Sequence, residues 1–171
     1  MKRYLSLLFV VLFPYYVVFE LNCTLHGLER TVFQDQEGLF VLTFLSTLLA
    51  AQLTSVAVFL ISYIMKWPLI DLLRANMILK LVHIPAYIAI FLFGFFSLIT
   101  IFTAWISIIM IIMACITIFM SGLIGLAGVI RIAIEKKLST KEVIIHSVLQ
   151  FIFFGDIVSS IMIFKKIKSQ V

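Results

Sequence analysis

Apolar residues dominate the chain in long runs, and the polar residues between the runs are few. Each run is about 20 residues long, which is the length of helix that crosses a hydrocarbon core of ~30 Å. Because backbone groups in lipid must pair within the chain, we predict a helix for each run. The predicted fold class is an all-α, polytopic transmembrane helix bundle with four spans and a fifth, C-terminal membrane helix, in a single membrane domain. The predicted segments within this 1–171 domain are 4–21, 39–65, 78–98, 105–130 and 142–164.

The boundary between the third and fourth spans follows from length. Residues 77–130 carry almost no charge, and one helix of that length would reach about 80 Å, far more than the thickness of a bilayer. The run must therefore fold back on itself. We predict the turn near 98–104.

The last apolar run contains one carboxylate, Asp156, near its middle, and two geometries fit it. In the first, the run dips into the membrane and returns as two half-helices, 140–154 and 157–168, with Gly155 ending one and Asp156 capping the other. In the second, 142–164 is one helix that spans the bilayer. An apolar run of this length is typical of a spanning helix, so we favour spanning over re-entry.

The start of this segment carries a helix signal. Ser139, followed three residues later by Glu142, fits a capping box, in which the two residues satisfy each other's backbone N–H groups. We therefore predict that a helix begins at about Thr140.

Composition indicates a membrane-embedded chain whose main partner is the lipid bilayer. Hydrophobic residues make up 64% of the chain and charged residues 12%, and the mean hydropathy is +1.24, whereas soluble domains carry roughly 25% charged residues. The formal net charge of +5 comes from basic residues at the ends of apolar runs, where such residues meet anionic headgroups. We therefore expect no nucleic-acid partner.

Lysine and arginine are distributed unevenly between the predicted loops. They cluster at the N-terminus and in 66–80 and 131–141, whereas the intervening loops hold only Arg30. The positive-inside rule then predicts a multi-pass membrane protein with a cytoplasmic N-terminus. The three lysines that follow the last apolar run fit this rule better if that run re-enters than if it spans.

The sequence contains no phosphate-binding loop and no HExxH, GxSxG or CxxC motif. These motifs place phosphate-binding amides, metal ligands or nucleophiles at fixed spacing. The three histidines also lack metal-ligand spacing. We therefore predict that the protein is not an enzyme and uses no metal or cofactor.

One cluster of polar residues is predicted at the cytoplasmic side of the third span. Asn76, Lys80 and His83 share a helical face just before Pro85. This face could bind an anion or a lipid headgroup. The alternative, which we favour, is a lysine that extends to the headgroup region beside an interfacial histidine.

A second cluster is predicted inside the membrane, where His146, Gln150 and Asp156 fall on one face of a continuous helix. An intramembrane ionisable residue indicates function by default, here a proton or cation path. The alternative is a polar clamp, in which Asp156 hydrogen-bonds a neighbouring helix. We favour the clamp because a single carboxylate without a cation at its depth makes a poor relay.

The depth of Asp156 separates the two clusters in the spanning geometry. Asp156 would lie about 21 Å along a helix that starts at Glu142, beyond the midplane of the membrane. Lys80 would lie near the opposite surface, so this geometry excludes a pair between them. Since an unpaired buried carboxylate is more stable protonated, we predict a neutral Asp156 bonded to a hydroxyl group.

Small residues recur on one face of the fourth span. Ser121 and Gly125 form a small-xxx-small pair, which lets helix backbones approach closely in lipid. We predict that this face packs against a neighbouring helix.

Three stretches resemble segments of a known protein family. "LKLVHIPAYIAIF", "MSGLIGLAGVIR" and "HSVLQFIFFGDIVSSI" are similar to small multi-span integral membrane proteins of low-GC Gram-positive bacteria, a family without an assigned activity. The resemblance covers residues 76–168. It implies a bacterial plasma membrane and implies no activity.

Two classes of function fit these patterns. The first is a non-enzymatic membrane module, such as a partner or regulatory subunit of a larger complex, which the packing faces and short loops favour. The second is a small oligomeric transporter or channel that uses Asp156 and His146. In either case the partner is another membrane protein or a second copy of the chain.

The predicted topology can be tested by cysteine labelling in intact cells, with the native Cys23 and Cys115 replaced by serine. A membrane-impermeant reagent should label single cysteines placed in 22–38 and should not label those in 66–76 or 131–141. Labelling in either of the latter two ranges before the cells are opened would contradict the orientation.

Overall fold

The computed structural model describes residues 7–25, 37–64, 67–99 and 104–170, and every regular element in these ranges is an α-helix. The helices in chain order are α1 Leu8–Leu25, α2 Glu37–Ile64, α3 Leu69–Ser97, α4 Ala104–Ile134, α5 Thr140–Leu149 and α6 Gly155–Lys168. The prediction of an all-α fold is therefore confirmed for the described part of the chain.

Three helices are long and apolar enough to cross a membrane. Their candidate spans are Val41–Ser62 in α2, Leu69–Ser97 in α3 and Ile106–Ile134 in α4, whereas α1 contributes only a shorter apolar helix, Leu8–Cys23. By length and composition the described part of the chain thus has three helices that could cross a membrane, and the prediction of four or more spans is not confirmed.

Helix α3 begins earlier than the sequence predicted. It starts at Leu69, directly after Pro68, although residues 66–80 were predicted to be a loop. The physical reason is that Asn76 and Lys80, which we interpreted as interfacial, are buried in the bundle and have hydrogen-bond partners there. Pro85 lies in the interior of this helix.

The predicted turn between the third and fourth spans is confirmed. Helix α3 ends at Ser97 and α4 begins at Ala104, so the direction changes within the predicted 98–104 range. Residues 100–103 lie outside the part of the chain that the structure describes.

The prediction of one helix over 142–164 is wrong, because two helices occupy this segment. Helix α5 ends at Leu149 and α6 begins at Gly155, and Lys166 near the end of α6 pairs with Glu142 near the start of α5. The two helices therefore run back beside each other as a hairpin. This is the alternative that we had ranked second.

Residue 154 sets the geometry of the hairpin turn. Phe154 precedes α6 and has a φ of 61°, in the left-handed region that costs roughly 1–2 kcal/mol for a residue with a side chain. The next residue, Gly155, had been predicted to end the first half-helix and instead begins the second. A Cβ atom there would lie 3.1 Å from Leu149 and 3.2 Å from Ile152.

The capping box at the start of the hairpin is confirmed. Ser139 caps α5 and accepts a hydrogen bond from the backbone N–H of Glu142, while the Glu142 side chain accepts one from the backbone N–H of Ser139. The helix begins at Thr140, as predicted. The prediction of the helix start from this local signal is therefore confirmed, although the prediction of one continuous helix over 142–164 is wrong.

Helix α3 is central to the bundle, since it packs against α1, α4 and α6. The main hydrophobic core joins four helices; its members include Phe13 and Val17 of α1, Ala51 of α2, Leu79 of α3 and Ile124 of α4. Outside this core the helices expose large apolar side chains, such as Leu53 at 69% and Ile111 at 62%. Such a surface is stable only against lipid or another protein.

The predicted packing face of the fourth span is confirmed by its glycines. A Cβ atom on Gly125 would lie 2.0 Å from the side-chain oxygen of Gln150, and one on Gly122 would lie 2.9 Å from the backbone oxygen of Gln150. A Cβ atom on Gly128 would lie 2.8 Å from Leu73 of α3. Because these three glycines have no side chains, the hairpin and α3 can pack closely against α4.

Replacing Gly125 by leucine should displace Gln150 and loosen the hairpin, at a cost of about 1–3 kcal/mol in the free energy of unfolding. The control is Gly38→Leu, because a Cβ atom at Gly38 meets nothing within 4 Å. Unfolding in detergent, followed by circular dichroism, measures both variants. Equal stability of Gly125→Leu and the wild type would show that this face does not support the hairpin.

Candidate functional site: a buried polar network

Helix α3 carries a row of polar side chains into the interior of the bundle. Asn76, Lys80, His83 and Tyr87 are spaced so that they share one face of the helix, and each is at most 2% exposed. The first three are the predicted cytoplasmic-side cluster. Their burial rules out the interpretation of Lys80 as a side chain that extends to the membrane surface.

Lys80 forms an ion pair with Asp156 at the start of α6. Its Nζ lies 2.7 Å from Asp156 Oδ2, and both side chains are fully buried. The same Nζ donates a hydrogen bond to Ser121 Oγ of α4 over 2.8 Å. The prediction that Asp156 cannot pair with Lys80 is therefore wrong, because the hairpin brings Asp156 back to the level of Lys80.

The carboxylate of Asp156 is held from a second side. Its Oδ1 accepts a hydrogen bond from the backbone N–H of Ile157 over 2.8 Å, in the first turn of α6. The N-terminus of a helix carries a partial positive charge that stabilises a carboxylate. An ammonium group and a helix terminus thus contact the two oxygens, so the prediction that Asp156 bonds to a hydroxyl group is wrong.

The other predicted cluster joins the same network. Gln150 at the end of α5 donates to Ser159 Oγ over 3.1 Å, and His146 Nδ1 lies 2.9 Å from the same oxygen. Ser160 Oγ lies 3.4 Å from Gln150 Oε1 and 2.8 Å from Asn76 Nδ2, which donates to it. The two clusters that the sequence separated are therefore one network.

His83 belongs to a different edge of the site. Its Nε2 lies 3.1 Å from the backbone oxygen of Val10 in α1, and its ring meets that of Tyr87 edge-on with 5.7 Å between centroids. His83 therefore connects α3 to α1 rather than to the hairpin. Within the described residues, its Nδ1 and the Oδ1 of Asn76 are buried without hydrogen-bond partners.

Sequence reasoning did not assign four members of the network to either predicted cluster. Ser159 and Ser160 carried a signal, since they lie three and four residues after Asp156 and share its helical face. Ser121 was recognised for its size and not for its hydroxyl group. Tyr87 extends the row that Asn76 begins; its hydroxyl lies next to Ser121 without a well-formed hydrogen bond.

The end of the hairpin opposite the turn has its own charge pair. Lys166 pairs with Glu142, and this hydrogen bond is the main reason that the pKa of the Glu142 carboxyl is lowered to about 2. Both side chains are well exposed, so the pair contributes little to stability, as is typical of surface ion pairs. The buried pair between Lys80 and Asp156 constrains the position of the hairpin more strongly.

An apolar cavity lies on the other side of Tyr87. It has a volume of about 340 Å³ and is lined by residues of α3 and α4 together with Phe153 from the hairpin turn. Ser107 also lines it, but its hydroxyl donates to the backbone oxygen of Gly94 over 2.6 Å. The cavity therefore offers almost no polar group.

The chemistry of this arrangement is that of a clamp. Each charge of the pair has an opposite charge and a second hydrogen-bond partner, which is the condition for a buried ion pair to be tolerated. Among the described residues, no three His, Cys, Asp or Glu side chains are grouped so that they could hold a metal ion. The network connects three parts of the fold, namely α3, α4 and the hairpin.

Comparisons with known proteins add no relative. No family model matches the chain, and no match was found among curated proteins or solved structures. The resemblance to membrane proteins of low-GC Gram-positive bacteria therefore stays a prediction.

The buried pair makes a sharp prediction for mutants. Asp156→Asn should destabilise the fold by about 3–5 kcal/mol, because it leaves the charge of Lys80 buried without a partner. The double variant Lys80→Met with Asp156→Leu should be more stable than Asp156→Asn, since it removes both charges. Free energies of unfolding from denaturant titration in detergent measure the difference.

The matched control is Lys166→Gln, which breaks the exposed pair with Glu142 and should leave the free energy of unfolding nearly unchanged, because exposed ion pairs contribute little to stability. If Asp156→Asn is as stable as the wild type, Asp156 is neutral in the folded protein and the pair is not ionic.

Proposed function

We propose that the protein is a non-enzymatic membrane module, such as a partner or regulatory subunit of a larger membrane complex. The observation that carries the proposal is the fully buried Lys80–Asp156 pair. Its charges are used within the fold, where they hold the hairpin against α3, and neither is presented to a substrate. Side chains that react with a substrate are exposed to a cleft, whereas the side chains of Lys80 and Asp156 have no exposed surface.

The outer surface of the bundle supports the same proposal. Helix α2 exposes a succession of leucines, including Leu42 at 62%, Leu49 at 61% and Leu53 at 69%. In lipid, association between helices depends on close packing, and these leucines recur at the spacing of one helical face. We infer that the partner is another membrane protein or a second copy of this chain.

We also propose a location in the plasma membrane, with the N-terminus and the ends of the hairpin in the cytoplasm. The support is electrostatic. The hairpin returns Lys165, Lys166 and Lys168 to the end of the bundle that holds Lys141, which removes the main conflict with the positive-inside rule. The hairpin is then a re-entrant element of a plasma-membrane protein.

A small oligomeric transporter or channel is the second candidate, and one observation favours it. The break between α5 and α6 places Asp156 and the start of a helix inside the bundle, with His146 in the same network. Secondary transporters place their binding sites at such discontinuous helices. Against this candidate, Asp156 is already engaged by Lys80 and by the backbone of α6.

Proton flux into proteoliposomes separates the two candidates. The purified protein, reconstituted with a trapped pH-sensitive dye and a potassium diffusion potential, should show the same flux as protein-free vesicles. A flux that the wild type supports and His146→Gln abolishes would contradict the module and favour the transporter.

A second measurement tests the partner directly. Solubilised from its native membrane in a mild detergent, the chain should migrate in native electrophoresis as a larger assembly than the purified chain in the same detergent. Identical migration of the two samples would contradict the proposal of a subunit.

A further inference from the structure

The outer face of α5 combines a lysine with a row of apolar side chains. Lys141 is exposed, and Ile144, Ile145 and Val148 follow it at the spacing of one helical face, with exposed fractions of 59%, 46% and 57%. A face of this kind presents a cation at the base of the hairpin, which is the end where α5 begins and α6 ends. It presents hydrocarbon along the rest of the helix. It matches the order of groups in a phospholipid, with the headgroup first and the acyl chains after it.

Helix α6 repeats this order in the opposite chain direction. Val158 and Met162 are each 54% exposed, and Lys165 follows them on the same face. Because α5 and α6 are antiparallel, Lys141 and Lys165 lie at the same end of the hairpin as the Glu142–Lys166 pair. Each helix therefore carries its apolar row toward the turn and its lysine toward the base.

The carboxylates near this end do not neutralise the two lysines. Glu142 pairs with Lys166, and Glu135 pairs with Arg131 and Lys137. Among the described residues, no ion pair involves Lys141 or Lys165. Their charges are available to a partner from outside the chain.

We propose that the base of the hairpin binds anionic phospholipid, with the headgroup phosphate at Lys141 and Lys165 and the acyl chains along the apolar rows of α5 and α6. Each lysine near an anionic membrane surface contributes about a fivefold gain in affinity. An acidic protein segment would also contact the lysines, but it would leave the apolar rows without a partner. The proposal does not depend on the activity or on the protein partner of the chain.

The test uses spin-labelled lipids and the full-length protein in phosphatidylcholine liposomes. Electron spin resonance measures the fraction of label immobilised by the protein, for phosphatidylglycerol and for phosphatidylcholine. We expect stronger association of the anionic lipid, and Lys141→Gln with Lys165→Gln should lower it by about fivefold for each lysine removed. Association of the neutral lipid should not change.

The control variant is Arg74→Gln with Lys136→Gln, which removes two exposed cations outside the hairpin. It should retain the preference for phosphatidylglycerol. An equal loss in the control and hairpin variants would show a general charge effect and contradict the site. Equal association of both lipids with the wild type, unchanged by added salt, would also contradict it without reference to any variant.

Discussion

The bundle depends on the requirement that a lysine buried in a membrane must have an opposite charge beside it. Lys80 lies in the middle of α3, which packs against α1, α4 and α6, and has no exposed surface, so leaving its charge without a partner would cost several kcal/mol. Among the residues that the structure describes, the carboxylate that pairs with it is Asp156 of the last helix. The break in the C-terminal segment, the direction of α6 and the contact with Ser121 are all consistent with this one pairing.

The break between α5 and α6 also stabilises the carboxylate of Asp156. In a continuous helix, the backbone N–H groups near Asp156 would be used by the preceding turn. At the start of α6 one of them is directed to Asp156 Oδ1, and the partial charge of the helix terminus has the favourable sign. The left-handed residue at Phe154 costs free energy, but it gives the ion pair a second point of support. The glycines of α4 then leave space for the hairpin end, since Gln150 and Phe151 lie where side chains on Gly122 and Gly125 would be.

Local signals in the sequence predicted the parts of the fold that depend on local physics. The capping box at Ser139 and the packing face at Gly125 were each predicted from residues a few positions apart, and the turn after Ser97 was predicted from the length of one apolar run. The hairpin could not be predicted in this way, because apolar runs that span and apolar runs that return have the same hydropathy. The pairing of Lys80 with Asp156 was then excluded by a depth argument that assumed a single helix. The better indicator was electrostatic, since the three lysines after the last run conflicted with a spanning helix.

The separation of the two charges along the chain has a consequence for synthesis. Lys80 and Asp156 are 76 residues apart, so at ~5–20 residues per second the ribosome needs about 4–15 s to make the second after the first. During that interval α3 must either wait near the translocation channel or hold its lysine toward the basic side of the membrane. Membrane insertion of this protein is therefore not a sequence of independent helices. The charge of Lys80 receives its partner within the chain only after the last helix has been made.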